Sequence, residues 1–154
     1  MSAPKIVPHA ATEPDRVWFR FMRLHQRMLM QMTARIRALG LSIPQFDLLS
    51  TLTEQEGISQ SELAERLYVT KGNVSGLVDR LVQAGLVERR AIAGDRRSYA
   101  MHLTPEGRRL AEAGIAAQRD FVAGTLGKLE ANDLAELDRL VLLWRDHARA
   151  VDTE

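Results

Sequence analysis

The chain has 154 residues and no cysteine. That absence excludes a disulfide framework, a thiolate zinc site, a cysteine nucleophile and a thiol redox sensor. No apolar run approaches the ~18 residues that a membrane-crossing helix requires. The opening Met1-Ser2-Ala3-Pro4-Lys5 leads into no apolar secretory core or cleavage site. A cytoplasmic protein without a membrane partner is the expectation. The four histidines, His9, His25, His102 and His147, show no metal-ligand spacing. Nucleophile elbow, phosphate loop, zinc motif and paired carboxylate site are all missing, so no enzyme, cofactor or resident metal is expected. Tandem repeats and low-complexity tracts are absent as well.

What is present is an ordinary globular balance, 45% hydrophobic and 27% charged, in a chain about one domain long, where domains run ~100 to 200 residues. The net charge of +1 is unevenly divided. Residues 59–109 hold 9 basic and 6 acidic side chains, whereas residues 110–154 hold 5 and 9. A basic middle and an acidic tail suggest that one surface faces an anion and another does something else.

Residues 1–14 carry Pro4, Pro8 and Pro14 without apolar periodicity and read as a mobile arm. From Asp15 to about Leu39 the spacing of Val17, Phe21, Leu24, Met28 and Met32 predicts a long amphipathic helix, stopped by Gly40. Ser42-Ile43-Pro44-Gln45 is a capping box, with proline tolerated in the first turn. Phe46, Leu48, Leu49 and Leu52 then face inward until Gly57. Ser59-Gln60-Ser61-Glu62 is a second capping box, opening a short helix with Leu63, Ala64 and Leu67 inside. Thr70 caps a further helix whose apolar residues are Val74, Leu77, Val78, Leu81 and Val82, closed by Gly85.

Residues 86–92 and 97–103 read as a hairpin around Ala93-Gly94-Asp95, with Tyr99, Met101 and Leu103 alternating against Ala100 and His102. Thr104-Pro105-Glu106-Gly107 starts the next helix, which runs to roughly Leu126. From about Ala131, Leu134, Leu137, Val141, Trp144, Ala148 and Val151 step by three and four along a last helix. The fold expected is mostly α with a small β-hairpin wing, a winged helix-turn-helix between N- and C-terminal dimerisation helices.

In a helix-turn-helix the second helix must bring its N-terminal residues to base edges in the major groove. Thr70-Lys71-Gly72-Asn73-Val74-Ser75-Gly76 suits that, with short polar groups and two glycines outside. A glycine costs about 1 kcal/mol in a helix interior, and close approach to a DNA backbone supplies a reason for two of them. Simple tight packing is the blander explanation. Lys71, Arg80, Arg89 and Arg90 taken alone would be read as a solvated face, and Asp95 beside Arg96 and Arg97 as an exposed ion pair. Their joint order and spacing favour DNA.

The stretch SQSELAERLYVTKGNVSGLVDRLVQAGLVERR, followed by Gly94-Asp95-Arg96-Arg97-Ser98 and Leu103-Thr104-Pro105-Glu106-Gly107, resembles the MarR family of bacterial transcriptional regulators. The resemblance runs from the first helix to the last, and the Asp-x-Arg wing with Leu-Thr-Pro-x-Gly is its most specific part. It implies a homodimer on a pseudo-palindromic operator in double-stranded DNA, with residues 15–40 and 104–154 forming the dimerisation region and 41–103 the DNA-binding lobe. By position it implies that Asp95 braces the wing by pairing with a nearby arginine, that Arg97 enters the minor groove, and that Lys71, Asn73 and Ser75 face the major groove. A guanidinium suits a narrow, electronegative minor groove, and Asn pairs bidentately with adenine. Arg80, Arg89, Arg90 and Arg96 are expected to neutralise phosphates. Ser59, Thr70, Gly72 and Gly76 complete the expected DNA-binding set.

The stripe of Leu134, Leu137, Val141 and Trp144 is expected at the dimer interface, although helix 104–126 would also suffice to cover it. The resemblance further implies a repressor released by a small, often aromatic or phenolic, effector. Trp18, Phe21, His25, Met28 and Met32 share one face of the first helix, as an adaptable pocket wall or as plain core. Arg16, Arg20, Arg23 and Arg27 fall at i, i+4, i+7 and i+11 on another stripe. They are either a solvated face or contacts to an anionic effector such as an acyl or aroyl coenzyme A thioester. A winged-helix module that binds protein partners and no DNA is the competing function.

Overall fold

The structure, a computed structural model, describes residues 12–67 and 71–151. Most of the expected arm, residues 1–11, lies outside the described residues. Helix α1 (Pro14–Arg37) opens with proline in its first turn and ends before Gly40, whose φ of 80° continues no helix. Helix α2 (Ile43–Glu54) starts on the expected capping box. The Ser42 hydroxyl accepts the Gln45 N–H at 3.2 Å, and the Gln45 side-chain oxygen accepts the Ser42 N–H at 2.9 Å. Ser59 and Glu62 repeat the exchange, at 3.2 and 2.6 Å, ahead of helix α3 (Gln60–Leu67). Helix α4 (Lys71–Gln83) stops before Gly85, with φ of 71°.

The wing strands are β2 (Val87–Ile92) and β3 (Asp95–Leu103), joined through Ala93 and Gly94, where Gly94 takes φ 83°. The second strand begins two residues earlier than the sequence suggests, because Asp95 pairs with Ile92 across the turn. A short strand β1 (Ile58–Ser59) that no periodicity announces pairs antiparallel with β3 through Ile58–Met101 and Ser59–Ala100, giving the sheet order β1-β3-β2.

One core joins these elements: Ile36, Phe46, Leu48, Leu49, Leu52, Leu63, Val74, Val78, Leu81, Val87 and Met101 are all buried. Each such side chain contributes about 1.5 to 3 kcal/mol by leaving water. Helix α5 (Pro105–Gly124) is seated by two glycines. A Cβ on Gly107 would lie 1.9 Å from the Leu86 carbonyl oxygen, and one on Gly114 would lie 2.5 Å from the Phe46 ring. The Thr104 hydroxyl accepts the Gly107 N–H at 3.0 Å and donates to the Gly85 carbonyl at 2.7 Å, tying the start of α5 to the end of α4. Glu56, between α2 and β1, takes the Arg108 guanidinium and lies 3.3 Å from His102 Nδ1, which clamps β3 and α5 together.

A 3-10 turn (Leu126–Lys128) leads to helix α6 (Ala131–Val151), which buries none of its residues within the chain. Leu134, Leu137, Val141 and Trp144 stay 40, 38, 50 and 38% exposed, so α5 does not cover them. Along α1 only Ile36 is buried.

Candidate nucleic-acid interface

Helix α4 divides cleanly. Val74, Val78 and Leu81 anchor it, while Gly72, Asn73 and Arg80 are exposed and Ser75 and Gly76 half-buried on the other side. A Cβ placed on Gly72 or Gly76 would meet nothing within 4 Å. Neither residue has the positive φ that demands glycine, since only Gly40, Gly57, Gly85 and Gly94 do among the described residues. Intramolecular packing therefore does not explain them. What they provide is a helix face thinned to its backbone, at a cost of about 1 kcal/mol each. Thr70 and the Lys71 side chain, both expected at this face, lie outside the described residues.

At the wing tip the Asp95 carboxylate accepts the backbone N–H of Arg97 at 2.9 Å. That bond, helped by the Ser98 hydroxyl and backbone, holds the carboxyl below the ordinary carboxylate range. The bracing is thus done through the backbone, where the family resemblance implies an arginine side chain. Its consequence is that the side chains of Arg96 and Arg97 remain exposed, with no ion-pair partner among the described residues. Arg80 likewise has no ion-pair partner among the described residues.

Arg89 differs from the expectation. Its guanidinium binds Asp79 of α4 and donates from Nε to the Gln60 side chain at 3.2 Å, so it ties β2 to α3 and α4 from a mostly covered position. A charge already committed inside the subunit is a poor phosphate contact. Arg90 pairs with Glu88 at 2.5 Å on the outer side of β2.

Between the start of α3 and the wing lies an open hollow of about 550 Å³ lined by Ser59, Gln60, Ser61, Arg89, Arg97, Ser98 and Tyr99. It brings Ser59 and Arg97, 38 positions apart in sequence, to one surface. Tyr99 shares the alternation of Met101 and Leu103, yet it is 46% exposed while those two are buried. The pairing of β1 ends at Ser59 opposite Ala100, so beyond that point β3 is paired, among the described residues, with β2 alone. Gln60, Ser61, Ser98 and Tyr99 are lining residues that the sequence reading missed. No local signal marks them, because the hollow exists only once β1 docks.

The first-helix residues separate into three places. Phe21, His25, Met28 and Met32 line a hollow of about 370 Å³ with Gln118, Phe121 and Val122 of α5. Trp18 is not part of it and faces α6, its ring 6.2 Å from that of Trp144, which also meets Phe21 edge-on at 4.8 Å. His25 stacks on Phe21 at 6.2 Å and is exposed, so it is no core histidine within one chain. Arg16, Arg20 and Arg23 line another hollow with Glu13, Asp15 and Phe19, and Arg27 is exposed further along the same stripe.

Comparison with known proteins gives a consistent picture. A family model described as "MarR family" matches residues 39–98. The HTH-type transcriptional repressor Rv2887 of Mycobacterium tuberculosis is 33% identical over 111 residues, covering 72% of this chain and 80% of that protein. The HTH-type transcriptional regulator TtmR of Methylorubrum extorquens is 35% identical over 119 residues, 74% of this chain and 58% of that one. Among solved structures, AbsC, a MarR family transcriptional regulator from Streptomyces coelicolor, superposes with a TM-score of 0.79 at 23% identity, covering 92% of this chain and 99% of that one. PcaV from the same species, solved in complex with its natural ligand, gives 0.68 at 23%, covering 96% and 99%.

Proposed function

The chain belongs to the MarR family of transcriptional regulators, and on that premise we propose that it is a homodimeric repressor that binds a pseudo-palindromic operator. In this reading residues 41–103 are the DNA-binding lobe, and residues 15–40 with 104–154 the dimerisation region. The observation that carries it is the outer face of α4, where Gly72 and Gly76 leave open space that no described residue fills. A backbone bared in this way fits the close approach of a DNA groove. Asn73 and Ser75 beside it would meet base edges. Arg97, and with it Arg96, would reach into or along the minor groove from a tip whose shape Asp95 holds. Arg80 would neutralise a phosphate.

Dimerisation supplies the spacing, since two recognition helices about 34 Å apart match one turn of DNA. The exposed apolar faces of α1 and α6 support it, being too extensive for a chain that stays alone. An effector of small, aromatic character is proposed for the hollow of Phe21, His25, Met28 and Met32, whose methionines adapt to a bound ring. Arg16, Arg20, Arg23 and Arg27 line none of it.

Retardation of the gene's own upstream DNA by the purified chain, at increasing salt, tests the central reading. Retention that falls steeply with salt is expected. No retention of any duplex at low ionic strength would overturn it and favour a protein-binding module. Release of that DNA by free aromatic acids tests the effector.

A further inference from the structure

With no cysteine in the chain, its only oxidisable sulfur is thioether. Four of the six methionines, Met22, Met28, Met30 and Met32, fall on α1. Their surroundings differ. Met101, in β3, is 0% exposed and closed to any solute. Met28 and Met32, four positions apart, share one face of α1 and line the open hollow of about 370 Å³ between α1 and α5. At about 3.6 residues per turn Met30, midway between them, points the other way, and it is 73% exposed.

Met32 also packs against the main core. One turn further on lies Ile36, the buried residue of α1. There α1 meets α2 and α5: a Cβ on Gly114 of α5 would lie 3.5 Å from the Ile36 side chain and 2.5 Å from the Phe46 ring of α2. Met32 thus stands at the joint that fixes α1 to the lobe carrying α4 and the wing. Among the described methionines Met32, with Met28 one turn behind it, combines access from solvent with a place at that joint.

We propose that Met28 and Met32 form a reversible oxidation site, whose conversion to sulfoxides by a hypohalous acid loosens the chain's hold on DNA. The thioether sulfur attacks the chlorine of hypochlorous acid, the Cl–O bond breaks and hydroxide leaves. Water then supplies the oxygen of the new S–O bond, and chloride and two protons depart. In sum sulfur gives up two electrons, chlorine is reduced to chloride and one net proton is released. Methionine sulfoxide reductases reverse the step, a dithiol ending as disulfide and the oxygen as water. A thioether fills apolar space, whereas a sulfoxide is polar and requires a hydrogen-bond donor. His25 and Gln118 are the polar side chains lining the hollow, while toward Ile36 the surroundings are core. An oxidised Met32 therefore turns out of the core, and the joint between α1 and the lobe loses that packing. In the proposed dimer this joint sets the spacing of the two recognition helices, which must match one turn of DNA. The inference rests on the DNA-binding reading above and adds to it a chemical signal that needs no bound effector.

Retardation of the gene's own upstream DNA by the full chain, before and after a few equivalents of hypochlorous acid, is the measurement, with peptide mass spectrometry locating each sulfoxide. Affinity should fall about tenfold or more as residues 28 and 32 gain oxygen. Methionine sulfoxide reductases with a dithiol should restore it. Met28→Leu combined with Met32→Leu, close in volume to the parent, should keep after the oxidant whatever affinity it showed before. Met30→Leu should lose affinity on oxidation as the parent does.

Sulfoxides at 28 and 32 without loss of affinity overturn the switch and leave the DNA-binding reading standing. A leucine double variant that loses affinity as the parent does also overturns it, and so does a loss that persists once the reductases have removed both sulfoxides. In either case the damage lies at another side chain. Residues 28 and 32 that stay unoxidised while Met30 is converted overturn the site itself. A parent that retains no duplex before treatment overturns the DNA-binding reading, and the switch with it.

Discussion

The Asp95 carboxylate accepts the Arg97 backbone N–H at 2.9 Å, so the residue proposed to probe the minor groove is positioned through its main chain while its guanidinium has no ion-pair partner among the described residues. The folded carboxyl lies below its ordinary value, with the Arg97 N–H as first cause. A depressed carboxyl contributes stability above the unfolded pKa of about 3.9 and loses it as pH falls through the folded value. Wing order should therefore be constant from neutral pH down to the carboxylate range and decline only below it. Asp95→Ala should weaken DNA retention severalfold at neutral pH, and Asp95→Asn, which keeps an accepting oxygen, much less. Retardation of the two variants beside the parent checks this; equal losses would contradict it.

Gly72→Ala and Gly76→Ala should separate stability from function. Open space awaits each Cβ, so the helix gains up to about 1 kcal/mol and melting rises. Operator affinity should fall, because the added methyls stand where the duplex comes close. Calorimetric melting and retardation on the same preparations measure both. Variants that bind as tightly as the parent would mean that the thinned face is not the contact face.

Two glycines of α5, Gly107 and Gly114, should behave in the opposite way. Gly107→Ala forces a Cβ against the Leu86 backbone oxygen, 1.9 Å away, which no side-chain rotation relieves. Gly114→Ala meets the ring of Phe46, itself 2% exposed and held by the core. Overpacking of this kind costs typically about 1 to 3 kcal/mol, and Gly107→Ala should lie at or beyond the upper end because backbone must move. Urea unfolding followed by circular dichroism would show the midpoint falling for both.

Arg89→Ala and Arg97→Ala divide the wing arginines by role. Arg89 joins Asp79 and Gln60, and its loss should lower stability by about 0.5 to 1 kcal/mol, the range of a partly exposed ion pair. Arg97→Ala should leave melting unchanged while reducing affinity and lowering the salt slope by about 1. A reversal of these two patterns would transfer the DNA-contact role to Arg89.

The local features were legible from the sequence because their physics is local. The Ser42–Gln45 and Ser59–Glu62 boxes formed both of their bonds, since residues three apart at a helix start need no tertiary context to meet. Gly40, Gly85 and Gly94 adopt the positive φ that the stops and the turn require. Residues 74, 78 and 81 are buried as their helical spacing implies. β1 escaped notice because two residues make no periodicity, and its existence depends on Met101 and Ala100 lying across from it. The Arg89–Asp79 ion pair escaped notice for the same reason: charge alone suggested a phosphate contact, but a neighbouring element, α4, supplies the partner.

Order of elements, helix caps, turn positions and the apolar face of α4 were set by the amino-acid sequence alone, as short-range bonds and periodic burial operate within a few residues. Only the folded chain decided that Gly72 and Gly76 face open space while Gly107 and Gly114 do not, that Arg89 is spent on Asp79, and that α5 leaves the stripe of α6 uncovered. Each of those outcomes turns on which distant segment arrives beside a given side chain, and that is a property of packing in three dimensions that no spacing along the chain encodes.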